Sequence, residues 1–158
     1  MPGRGVRPTS DRLRETLFNV LGEEVKEKVF VDAYAGSGAV GIEALSRGAA
    51  RVVFIESDRK AVAVIRENLR ALGLAAQVVA RPVIRALGAV GADIVFLDPP
   101  YDQAREYEAA LTLLGQRPPG LVIAEHATRS PLAPAYGSLC RVRVLRQGDS
   151  SLSFYRPV

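Results

Sequence analysis

The chain has 158 residues, 48% of them hydrophobic and 24% charged, the make-up of one globular domain rather than a disordered or fibrous protein. Lysine and arginine number 21 against 17 acids, giving a formal charge of +4, and the excess is almost all arginine, which suits phosphates and base edges as well as a solvated surface. The single Cys140 excludes an internal disulfide and reads as a small core residue in a reducing compartment. No apolar run is long enough to span a bilayer, so a soluble, cytoplasmic and monomeric protein is expected.

Residues 4–11 are polar and broken by Pro8. Beyond them Leu13, Leu17, Val20, Leu21 and Val25 recur at helical spacing, which predicts an amphipathic helix with Arg12, Glu15 and Asn19 on its far side. A strand over 29–32, a glycine turn, a helix over 39–47 and a strand over 51–56 follow. Asp58 is placed to cap a helix whose stripe is Val62, Ile65, Leu69 and Leu72. Further strands are expected over 77–80, 93–97 and 121–125, with a helix over 107–114 between the last two. Strands that are apolar throughout are covered on both faces, which argues for a parallel sheet wrapped by helices. Residues 139–145 and 152–155 flank Gln147-Gly148-Asp149-Ser150 with no helix between them, so the sheet should end in an antiparallel hairpin. The expected fold is α/β: a seven-stranded Rossmann-like sheet, helices on both faces, and a basic arm and helix (1–28) packed on the domain formed by 29–158.

Residues 31–41 leave a strand and enter a helix through a glycine-rich turn, where the backbone can approach a ligand. Gly36, Gly38 and Gly41 satisfy the dinucleotide fingerprint, and Glu56 ends the next strand where an acid would accept from ribose hydroxyls. A dinucleotide-dependent oxidoreductase is therefore a rival reading. Against it stands Asp32, four residues before Gly36, an acid that would repel a pyrophosphate and attract the ammonium group of a methionine moiety.

Asp98-Pro99-Pro100-Tyr101 follows an apolar strand, at the sheet edge where such folds place their chemistry. Two prolines stiffen the turn and leave carbonyls without local donors. The exocyclic amine of a nucleobase is a poor nucleophile because its lone pair is delocalised into the ring. Acceptors at the Asp98 carboxylate and the Pro99 carbonyl would draw its hydrogens into position, and the Tyr101 ring offers a stacking face for a flipped base.

With these motifs in this order the chain resembles the class I S-adenosylmethionine-dependent methyltransferases that modify amino groups. Residues 7–19, 32–38 and 41–48, and the ending Ser151-Leu152-Ser153-Phe154-Tyr155, are similar to the 16S ribosomal RNA guanine-N2 methyltransferase family. The resemblance implies that Asp32, Tyr34, Ala35, Gly36, Ser37, Gly38, Glu56 and Ser57 hold S-adenosylmethionine. It also implies that Asp98, Pro99, Pro100 and Tyr101 handle the guanine, and that Arg7, Arg12 and Arg14 lie near RNA of a partly assembled small subunit. Where the family often has an Asp or Asn that reaches the adenine, this chain has Arg81-Pro82-Val83, so the adenine is expected on the Val83 amide and apolar packing. An adenine-N6 or other nucleobase-amine methyltransferase is the alternative within enzymes, and an RNA-binding assembly factor the alternative outside them.

No metal is expected, because His126 is the only histidine and has no cysteine partner nearby; it reads as a solvent-side or locally bonded residue. Arg141 and Arg143 are expected on one face of a strand, as phosphate contacts or as edge charges that discourage pairing.

Overall fold

A computed structural model of the chain describes residues 10–100 and 102–158; Arg7 and Tyr101, both singled out above, lie outside the described residues. In chain order the elements are α1 (Asp11–Leu21), β1 (Val29–Ala33), α2 (Ala39–Ser46), β2 (Arg51–Ile55), α3 (Arg59–Leu72), β3 (Gln77–Val79), α4 (Val83–Ala86), β4 (Ile94–Leu97), α5 (Ala104–Gln116), β5 (Leu121–Ala127), β6 (Ala135–Tyr136), β7 (Leu139–Gln147) and β8 (Ser150–Pro157). The strands form one sheet in the order β3-β2-β1-β4-β5-β8-β7-β6. The first five strands of that order are parallel, and β8, β7 and β6 pair antiparallel.

Alternate side chains of the strands feed two cores. Phe30, Phe54, Phe96 and Ile123 meet α1, α2 and α3 on one face, whereas Val31, Val53, Val95 and Val122 meet α4 and α5 on the other. This is why the strands read as continuous apolar runs. Helix α1 begins at Ser10, whose hydroxyl accepts from the Leu13 amide at 3.1 Å, and it buries Leu13, Leu17, Phe18 and Leu21. Asp58 caps α3 as expected by accepting from the Ala61 amide. Gly41 is fixed by packing, since a Cβ there would strike the Phe54 ring and Val52, so its glycine sets how closely α2 lies on β2.

Four expectations change. The sheet has eight strands rather than seven, because the two-residue β6 pairs with β7 beside Gly115, whose missing side chain admits the Tyr136 carbonyl. A two-residue strand carries no periodicity to read. Leu72 is 59% exposed, because the left-handed turn at Gly73 sends Leu74 back against the core in its place. Cys140 is exposed, since its neighbour Leu139 takes the inward position of the strand alternation. A bulge between Arg141 and Arg143 pairs them with Tyr155 and Phe154 respectively, so they occupy opposite faces of the sheet. His126 follows the locally bonded one of its two expected readings, and it is buried: Nδ1 faces the carbonyls of Ala127 and Ser130 at 3.0 and 3.2 Å and must carry the proton, leaving Nε2 to meet Ser153 Oγ at 2.7 Å. Burial pushes its pKa down.

Candidate active site

The strand order reverses between β1 and β4, and at such a switch point the loops leaving the carboxyl ends part to form a crevice. A cavity of about 470 Å³ lies there. It is lined by Asp32, Tyr34, Ala35, Gly36 and Ser37 from the loop after β1, by Glu56 and Ser57 after β2, by Val83 at the start of α4, and by Asp98, Pro99 and Pro100 after β4. The fold thus brings two motifs more than sixty residues apart to one wall.

Asp32 is buried, and its Oδ2 accepts from the Gly41 amide at 2.9 Å. Gly41 is in the first turn of α2, so the carboxylate caps a helix from a neighbouring strand and also borders the cavity. Burial pushes its pKa up to about 8, the Gly41 amide pulls the other way, and the Glu56 charge adds to the rise. Glu56 uses both oxygens on backbone: Oε1 accepts from Gly36 N at 2.8 Å and Oε2 from Asp58 N at 2.9 Å. Each oxygen keeps a second lone pair for a ribose hydroxyl.

Gly36 and Gly38 hold φ of 60° and 85°, which only glycine adopts without strain. Gly36 lines the cavity. Gly38 does not; it is the cap of α2, packed against Ile65 and Phe54, and shapes the loop from behind. Tyr34 is also left-handed, at φ 61°, and its hydroxyl donates to Glu106 Oε1 at 2.6 Å. Burial and the Glu106 carboxylate together push the Tyr34 phenol well above its ordinary range. Val83 is the first residue of α4, so its amide has no acceptor within the helix, and Pro82 beside it adds an apolar wall.

After β4, Asp98 N donates to Ala33 O at 3.4 Å, which sets Asp98-Pro99-Pro100 level with the start of the glycine loop. The Tyr107 hydroxyl donates to Glu125 O at 2.6 Å and lies 3.5 Å from Pro99 O, so α5 supports the turn from below. Gln103 and Glu106, which also line the cavity, were not singled out from the sequence. They follow the tetrapeptide closely, Gln103 as the cap of α5 and Glu106 in its first turn, and that adjacency is the available signal.

Among the described residues the cavity wall holds five carboxylates, Asp32, Glu56, Asp58, Asp98 and Glu106, and no lysine, arginine or histidine. Such a wall repels a pyrophosphate and attracts a cation, and S-adenosylmethionine carries both a sulfonium and an ammonium. The lining therefore fits this cofactor and does not fit a dinucleotide: Glu56 has acceptors that ribose hydroxyls could use, and Asp32 borders the cavity as an acid that an ammonium could face. Glu56→Ala is expected to weaken cofactor binding by roughly 1 to 3 kcal/mol, because it removes charge-assisted hydrogen bonds and frees the Gly36 amide. Unchanged affinity in titration calorimetry would show that Glu56 serves the loop alone.

Sheet order, glycine loop and acidic wall together are those of a class I S-adenosylmethionine-dependent methyltransferase. The chain belongs to the family described as conserved hypothetical protein 95, which it matches over residues 1–156. It is 38% identical to the ribosomal RNA small subunit methyltransferase D of Escherichia coli over 152 residues, 90% of this chain and 76% of that one. The Haemophilus influenzae protein of the same name is 36% identical over 139 residues, 81% and 72% of the two chains. A solved structure of a hypothetical protein from Thermus thermophilus superposes with a TM-score of 0.79 at 30% identity, covering 100% of this chain and 92% of the other. Among the described residues no helix is long and apolar enough to cross a membrane.

Proposed function

We propose that this protein transfers a methyl group from S-adenosylmethionine to the exocyclic N2 amine of a guanine in 16S ribosomal RNA, within a partly assembled small subunit. The observation that carries the reading is the single cavity shared by Asp98-Pro99-Pro100, the glycine loop and Glu56. The names of the relatives above support ribosomal RNA as the substrate.

Bound S-adenosylmethionine supplies an electrophilic methyl group. The residues of this chain do the rest by orientation. Asp98 and the Pro99 carbonyl accept from the two amine hydrogens, which draws the lone pair out of conjugation with the ring and localises it toward the cofactor side. No strong base is required, because the methylated amine is acidic and gives its proton to water. Tyr107 keeps the turn rigid, and the apolar faces of Phe96, Pro99 and Pro100 exclude water from the reacting groups.

RNA would approach over the carboxyl edge of the sheet. The Thr16 hydroxyl meets Gln147 Oε1 at 2.8 Å, which holds the first half of α1 against the β7–β8 turn at that edge. Arg12 is exposed there, whereas Arg14 is partly buried and faces Asp11 at 3.2 Å and Glu43 at 3.7 Å. Arg12→Ala should therefore reduce the slope of log K against log [salt] for RNA binding by about 0.7 to 0.9, the value of one phosphate contact, and Arg14→Ala by less. Equal slopes for Arg12→Ala and the parent would remove Arg12 from the RNA surface. The reading as a whole is tested by mapping modified nucleosides in ribosomal RNA from cells lacking this gene. One N2-methylguanosine in the small subunit should be lost, and an unchanged pattern would refute it.

A further inference from the structure

Tyr34 and Glu106 are 72 positions apart, yet the Tyr34 hydroxyl donates to Glu106 Oε1 at 2.6 Å across the cavity wall. One belongs to the loop that enters α2, the other to the first turn of α5 just beyond the tetrapeptide. Tyr34 makes this bond from φ 61°, a left-handed conformation rare for a bulky side chain, so the aromatic ring is held there by its surroundings.

Each end of the bond is tied into one half of the site. On the Tyr34 side, Ala35 N donates to Ile55 O at 3.1 Å and Gly36 N to Glu56 Oε1 at 2.8 Å, which leads to the ribose acid. On the Glu106 side, Glu106 N donates to Gln103 O at 3.0 Å and Gln103 N to Pro100 O at 3.0 Å, which leads to the acceptor turn. A path of hydrogen bonds and the chain segment Tyr34-Ala35-Gly36 therefore joins Glu56 to Pro100, and the Tyr34–Glu106 bond is its long-range link.

We infer that the Tyr34–Glu106 pair couples the two halves of the site: a filled cofactor loop fixes Tyr34, Tyr34 fixes Glu106, and Glu106 sets the turn that receives the target base. Both are positioning residues. The inference rests on the reading that the target amine docks at Asp98 and Pro99. Coupling of this kind is reciprocal, so the cofactor tightens RNA binding by the same factor as RNA tightens cofactor binding.

The test measures the affinity of the full chain for small-subunit RNA lacking the modification, with and without S-adenosylhomocysteine. In the parent the product should tighten RNA binding by about fivefold or more, the lower end of ordinary coupling. In Tyr34→Phe and in Glu106→Ala that ratio should fall toward one, and the double variant should lose nothing further. Glu106→Gln keeps an acceptor for the phenol and should retain most of the ratio. A pair that only stabilises the fold would lower the melting temperature and leave the ratio at the parental value, which overturns the inference. So does a parental ratio of one in a protein that methylates the RNA. Failure of the parent to methylate any RNA would instead overturn the functional reading and this inference with it.

Discussion

Asp98→Ala should slow methyl transfer by about 2 to 4 kcal/mol of barrier while leaving cofactor affinity nearly constant. The acceptor it removes matters most as the amine lone pair localises, that is, on the way to the transition state. Glu56 and the glycine loop, proposed to hold the cofactor, lie on other elements and stay intact. Asp98→Asn keeps a carbonyl oxygen that can accept and loses the charge. A rate between parent and alanine would mean that charge contributes; a rate near the parent would mean that position alone suffices. Single-turnover transfer to small-subunit particles lacking the modification is the assay, and a parental rate in Asp98→Ala would take the tetrapeptide out of the mechanism.

Asp32→Asn should raise the stability of the cofactor-free protein and weaken its cofactor binding at the same time. The sign follows from the carboxyl's pKa, pushed up to about 8 in the fold from an ordinary 3.8. Between those values the folded chain holds a proton that the unfolded chain has released, so stability falls as pH rises through the window and levels off above about 8. Asparagine has no charge to desolvate, and its carbonyl can still accept from Gly41 N. At pH 7 the gain should be roughly 1 to 4 kcal/mol, read as a higher melting temperature and a flatter profile between pH 4 and 8. A cationic ligand favours the ionised acid, so parental cofactor affinity should climb with pH up to about 8, whereas that of Asp32→Asn should not. A variant with parental affinity at every pH would show that Asp32 serves α2 and no ligand.

The parts of the fold legible in the sequence were those with a repeating physical signature. The α1 stripe, the Asp58 cap and the apolar strands each follow from burial on one side or both, and the structure places them within a few residues of the reading. The site motifs were legible because glycines and prolines announce special backbone, and the parallel strands then carry Asp32, Glu56 and Asp98 to one edge. What stayed hidden depends on contacts between distant segments. Nothing local marks Gly41 N as the partner of Asp32, Glu106 as the partner of Tyr34, or Ser153 as the partner of His126. The bulge that parts Arg141 from Arg143 is a single extra residue in one strand, and a strand pattern read by alternation passes over it.

Direction of a methyl group onto a guanine amine from this acidic cavity is the proposed step on which the mechanism depends. It is tested most directly by incubating the protein with methyl-labelled S-adenosylmethionine and small subunits lacking the modification, then digesting the RNA to nucleosides. Label is expected in N2-methylguanosine, at about one per particle by the stoichiometry of a single target site, and should be lost in Asp98→Ala. Label in N6-methyladenosine, or none in a protein that binds the cofactor, would contradict it.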